Sequence, residues 1–171
     1  MDLEKVLAKA NSKKQCDRIV NWIGSDKQRF AELMNYFFSG TDMVRRFAAW
    51  PMSYCVIKDP DLIKPWLSRL IPVLDEINAH DALVRNIVRL LQFVEIPKSL
   101  EGKIMSHCFE YIQSSTRAPA IKAFSLTILE NLSKKYPDIG PELKLIIKER
   151  WPLEKPAFHS RAKKILSNLS Y

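Results

Sequence analysis

Apolar residues recur at spacings of three and four along most of the chain. Between 81 and 94 they fall at Leu83, Val84, Ile87, Leu90, Leu91 and Val94, with Arg85, Arg89 and Gln92 on the other side. Ile121, Phe124, Ser125, Ile128, Leu129 and Leu132 repeat that pattern in 117–133. This is the period of an amphipathic helix, and no run alternates with period two for long enough to make a strand. The punctuation agrees. Ser25-Asp26 predicts a helix start, and Ser39-Gly40 its end, with Gly40 in a left-handed position past the last turn. Thr41-Asp42 caps the next helix and Asp59-Pro60-Asp61 opens another. Asp81 begins a run closed by Pro97, and Ser114-Ser115-Thr116 leads into one closed by Pro137. Gly140-Pro141 opens a helix ended by Pro152, and Pro156 starts the last. The expected class is all-α.

The helices repeat. "FAELMNYFFSGTDMVRRFAAW", "LSRLIPVLDEINAHDALVRNIVRLLQFV", "IMSHCFEYIQSSTRAPAIKAFSLTILENL" and "LKLIIKERWPLEKPAFHSRAKKILSNL" each read as helix, short turn, helix. A basic residue stands near the start of each second helix: Arg45, Arg85, Lys122 and Arg161, separated by 40, 37 and 39 residues. "LEKVLAKANSKKQCDRIVNWIG", with Arg18 at that place, reads as a shortened fifth copy. One hairpin cannot bury its apolar face alone, so such copies stack and share a continuous core.

This pattern resembles the HEAT-repeat family of α-solenoids, most closely in 67–94. There "LIPVLDEI" is similar to the family's first helix with its internal proline, Pro72. Asp81 followed by Val84-Arg85 is similar to its turn aspartate and the valine–arginine of its second helix. Asp42 with Val44-Arg45 is a second, slightly compressed match. The third and fourth copies depart: Lys122 replaces the arginine, and neither has the turn aspartate. The resemblance implies a right-handed α-α superhelix, HEAT- or armadillo-like, of about four to five hairpins forming a single domain over 1–171. It also implies a ladder in which Arg45, Arg85, Lys122 and Arg161 tie successive turns through carboxylates, with Asp42 and Asp81 as partners. Arg46 would then be an additional, more exposed cation. Pro51 removes the N–H that would reach the carbonyl of Phe47, which predicts a bend in that helix.

Composition narrows the setting. The chain has 171 residues, 47% of them hydrophobic, and only 4 glycines, enough for a sizeable helical core. The opening "MDLEKVLAKANSKK" is charged from the start and carries no apolar leader segment. No run nears the roughly 18 apolar residues of a membrane span. Cys16, Cys55 and Cys108 are far apart, odd in number and set in helical patterns, as expected of reduced, buried thiols in a cytoplasmic protein. Net charge is +8, and residues 116–171 carry 11 basic against 5 acidic side chains. Such a surplus either recruits phosphates or acidic proteins, or simply solvates a lysine-rich helical surface.

Catalytic signatures do not stand out. There is no phosphate-binding glycine loop, HExxH, CxxC or nucleophile elbow, so no catalytic residue, cofactor or metal is assigned, and enzymatic activity stays open with the balance against it. His107 and Cys108 are neighbours on one helix and point in different directions. Asp75-Glu76 reads as a solvated acidic pair. Trp22, Trp50, Trp66 and Trp151 read as wedges between layers, with Trp151 of "KERWP" partly exposed. Arg85 and Arg89, four apart, repel by a few tenths of a kcal/mol, which calls for a carboxylate or an anionic partner.

Two functional readings follow. The first is a non-catalytic interaction module that binds a protein on a curved solenoid face, with Arg46, Arg89, Lys144, Lys148, Arg150, Trp151, Lys155, Lys163 and Lys164 as the candidate surface. The alternative is nucleic-acid binding through the basic C-terminal surface. There, "VRRFAAW" resembles the DNA alkylation repair family of HEAT-like proteins, although that family's catalytic aspartate and aromatic pocket find no matching positions. A small-molecule enzyme is the third and weakest possibility. Oligomeric state is left open.

Overall fold

The computed structural model describes residues 1–9, 12–77 and 79–169. Among these, ten α-helices follow one another: α1 (Leu3–Leu7), α2 (Lys13–Ile23), α3 (Lys27–Ser39), α4 (Asp42–Lys58), α5 (Leu67–Leu70), α6 (Asp81–Leu91), α7 (Lys98–Gln113), α8 (Pro119–Ser133), α9 (Ile139–Arg150) and α10 (Pro156–Asn168). No strand occurs among the described residues. Short side chains start several helices. Asp26 accepts from the backbone N–H groups of Gln28 and Arg29 at 2.9 and 3.0 Å, and Thr41 from that of Val44 at 3.5 Å. Each satisfies a donor that the first turn leaves open.

Glycine and proline act in ways the pattern did not anticipate. Gly40 ends α3 with φ of −74°, not in the left-handed region. Its role is space: an added Cβ would lie 2.6 Å from both the Tyr36 carbonyl oxygen and Val44 Cγ1. The left-handed glycine is Gly24, with φ of 52°, at the end of α2. Pro51 lies inside α4, where the sequence reading placed it, and the helix runs on to Lys58. Pro65 and Pro72 do break what reads as one helix over 60–75. Tighter 3-10 turns at Pro60–Trp66 and Ile71–Asp75 flank the short α5. Pro60 only opens the segment, but the N–H groups that Pro65 and Pro72 lack leave too few i to i−4 bonds for a continuous α-helix.

The chain divides into two compact units, Met1–Val94 and Glu95–Tyr171. In the first, α4 is central and packs against α1, α2, α3, α6 and the 3-10 turn at Pro60–Trp66. Phe30, Leu33, Phe37, Ala48, Met52, Val56, Val84, Ile87 and Leu91 are buried there. In the second, α8 is central and packs against α7, α9 and α10, burying Ile104, Ile121, Leu126, Leu129, Leu143, Ile147, Phe158 and Ile165.

The repeat has a defined register. The residues that precede α4, α6, α8 and α10 are Thr41, His80, Ala118 and Lys155, spaced by 39, 38 and 37. Counted from these caps, burial recurs: Ala48, Ile87 and Ser125 are equivalent, as are Met52, Leu91 and Leu129, and all six are buried. The fourth residue after each cap is Arg45, Val84, Lys122 and His159. The fifth is Arg46, Arg85, Ala123 and Ser160. Arg85 is therefore equivalent to Arg46, one place on from Arg45.

A candidate interaction site between two arginines

That register separates cations that hold the fold from cations that do not. Arg45 forks onto Glu76, with Nη2 to Oε1 at 2.7 Å and Nη1 to Oε2 at 3.1 Å, while its Nε donates to the Phe37 carbonyl at 3.2 Å. Lys122 Nζ lies 2.7 Å from Glu154 Oε1, and Arg150 donates to the same oxygen from Nε at 3.0 Å and Nη2 at 2.7 Å. Arg150 Nη2 also reaches the Ser114 carbonyl at 3.3 Å. In both units the cation finds its carboxylate in the turn of the next repeat, 31 or 32 residues on. The partner of Arg45 is thus Glu76, not Asp42 or Asp81. Asp42 sits in the first turn of α4 itself, where a carboxylate complements the helix N-terminus. Glu76 is only 40% exposed and is no free surface acid. At the equivalent position of α6 stands Val84, buried and apolar, so this rung is missing.

Arg46 and Arg85, at matching positions of two packed helices, line one depression of about 230 Å³ together with Phe47, Trp50, His80, Ala82 and Asn86. Arg46 is half-buried, and its Nε donates to the Asp42 carbonyl at 3.2 Å. Arg85 is exposed and makes no side-chain hydrogen bond or ion pair among the described residues. Among the described residues no carboxylate lines the depression. The exposed His80 caps α6, its Nδ1 accepting from the Ala82 N–H at 3.0 Å. Buried Asn86 is fixed three ways: Nδ2 donates to the Ala82 carbonyl at 2.8 Å, and Oδ1 accepts from Ser53 Oγ at 3.1 Å and Arg89 Nη1 at 3.0 Å. Arg89 is half-buried, with its guanidinium 5.4 Å from the centre of the Tyr54 ring. Burial lowers its pKa from the ordinary arginine value. An amide and an aromatic face thus receive Arg89 and turn it inward from Arg85.

A family model described as HEAT repeat domain matches residues 3–169. The chain belongs to the HEAT-repeat family. Comparison with curated proteins returns no match, and comparison with solved structures returns none either. Among the described residues no helix is long and apolar enough to cross a membrane.

The other candidate cations of this HEAT-repeat chain lie in the second unit. Lys144 on α9 and Arg161 on α10 are half-buried, while Lys148, Lys155, Lys163 and Lys164 are exposed. Arg150 and Lys122 are committed to Glu154. All four tryptophans are half-buried rather than enclosed. Trp22 lies under Arg29 at 5.1 Å, Trp66 stacks on Phe38 at 6.1 Å, and Trp151 stacks on His159 at 4.5 Å. His107 stacks on Tyr111 at 5.8 Å beside buried Cys108. Among the described residues no group of three or more His, Cys, Asp or Glu side chains could hold a metal. Burial pushes the Cys16 thiol up to about 11, and those of Cys55 and Cys108 up to about 12. The sequence reading did not find Glu76, Glu154, Phe47, His80 or Asn86 as site residues. The available signal was the 39-residue spacing between the caps Thr41 and His80, which pairs Arg46 with Arg85.

Proposed function

We propose that the chain is a non-catalytic interaction module that binds a protein partner, and that the depression between α4 and α6 is its docking point. Stacked helical repeats generally present surfaces to other proteins. The observation that carries the reading is the pair Arg46 and Arg85 beside half-buried Trp50 and Phe47, with no carboxylate among the described residues lining the space they share. Arginine and tryptophan dominate interface energetics because they combine area with directed hydrogen bonds. Tracking a phosphate backbone calls for several aligned free cations. Two strong candidates for that role, Lys122 and Arg150, are neutralised on Glu154. The three buried free thiols fit a reducing, cytoplasmic setting.

Cross-linking and affinity capture from the native cell tests this. The wild type is compared with Arg46→Glu/Arg85→Glu and with Lys163→Glu/Lys164→Glu. A captured protein lost only from the first variant is the expected result. The same protein on both variants moves the interface elsewhere. Capture abolished by nuclease treatment replaces the reading with nucleic-acid binding.

A further inference from the structure

We infer that the Arg46–Arg85 depression holds a carboxylate from an acidic segment of the protein partner. This rests on the interaction-module reading above. Three little-exposed cations of the chain meet carboxylates at close range, Arg45 on Glu76 and Lys122 and Arg150 on Glu154, each at 2.7 Å, while half-buried Arg89 meets an amide and a ring. Arg85 has no such partner among the described residues, yet it shares a concave mouth with a second guanidinium. Two like charges in one half-enclosed space repel, and an anion between them removes that cost.

The chemistry of the mouth selects the anion. Helix N-termini bind phosphate through open backbone N–H groups. Here three of those at the start of α6, on Ala82, Leu83 and Val84, are taken. The His80 ring accepts from Ala82 N, and the His80 carbonyl from Leu83 N at 2.8 Å and Val84 N at 3.4 Å. What remains is guanidinium forks, whose planar donor pairs match the two oxygens of a carboxylate. About 230 Å³ admits an acidic side chain and part of a neighbour, and the Phe47 and Trp50 walls suit an aliphatic stem or an adjacent apolar residue. Asp42 and Asp81, in the first turns of the two helices, do not line the space. An Asp- or Glu-bearing strand with an apolar neighbour is therefore the occupant.

The test is selection of displayed random peptides on the full chain, followed by anisotropy with the fluorescein-labelled winners. Winners rich in Asp or Glu beside an apolar residue are expected. Arg46→Gln and Arg85→Gln each weaken them roughly tenfold, Arg85→Glu weakens them further, and Lys163→Gln leaves them unchanged. Replacing the peptide carboxylate by lysine restores binding to Arg85→Glu. Arg85 is exposed, so its variants keep the wild-type thermal melt and separate lost docking from lost fold. Winners without acidic residues, or acidic winners indifferent to Arg85→Glu, overturn the inference and leave the interaction reading standing. No winners, together with no captured protein, overturn both. Tighter binding of a phosphorylated peptide, or of a single-stranded oligonucleotide at the same arginines, also overturns the carboxylate.

Discussion

The two units solve the same problem at the same register position in different ways. In the first, Arg45 meets Glu76 as a fork in which the arginine is 17% exposed and the glutamate 40%. In the second, Lys122 and Glu154 are 5% and 3% exposed, and Arg150 supplies a further cation to the same oxygen. A half-wet fork gains modestly from its attraction, because water already satisfies part of both ions. A dry cluster has no such fallback. Its ions lean on one another and, for Arg150, on the Ser114 carbonyl, so the cluster enforces one arrangement more than it adds net stability. The first unit thus leaves its fork within reach of water, and beside it lies exposed Arg85, where we propose a partner docks. The second commits Lys122 and Arg150 to its own turns.

Breaking the dry cluster is the severest test of that contrast. Glu154→Gln strands buried Lys122 beside Arg150 and is expected to cost about 3 kcal/mol or more in urea unfolding. Glu101→Gln should cost less, since its partner Lys135 is 55% exposed, and the loss should depend on pH. Glu101 accepts from Lys135 at 2.6 Å and from the Tyr136 hydroxyl at 2.5 Å, and these bonds hold its carboxyl below the ordinary 4.5. A lowered native pKa contributes stability above about 4.5 that is lost as the pH falls through the native value. The gap between wild type and Glu101→Gln is therefore widest at neutral pH and closes in acid. Glu76→Gln, in the half-wet fork, should cost about 1 kcal/mol, and added salt should shrink that cost. Arg85→Gln should change stability by less than about 0.5 kcal/mol while weakening partner binding. A large loss of stability from Arg85→Gln would make that arginine a structural element and end the contrast.

What the sequence made legible was local. Helical period, capping by Asp26 and Thr41, and the entry at Pro156 depend on neighbours within a turn, and each lies where the pattern placed it. The family followed from repeated copies of that local signal. Partners across a turn were not legible. Glu76 lies 31 residues from Arg45, in a turn whose path Pro60, Pro65 and Pro72 reshape, and an acid before a helix looks like any solvated acid. The one-place offset between Arg45 and Arg85 was hidden because Val44-Arg45 and Val84-Arg85 look alike as letters. Only the caps, at 41 and 80, show that they are out of step. The half-burial of the tryptophans was unreadable for a related reason: a large ring at a helical spacing fits a wedge and a groove wall equally well.

The thiols carry a practical consequence. Cys16 and Cys55 lie in the first unit and Cys108 in the second, all three buried, with burial keeping them protonated near neutral pH. Thiolate is the reactive form, so an alkylating reagent reaches each one only when its surroundings open. The chain carries a native stopwatch in each half. Mass-resolved alkylation in rising denaturant would time the opening of Cys108 against that of Cys16 and Cys55, with no label introduced, and so measure whether the two halves melt together or in turn.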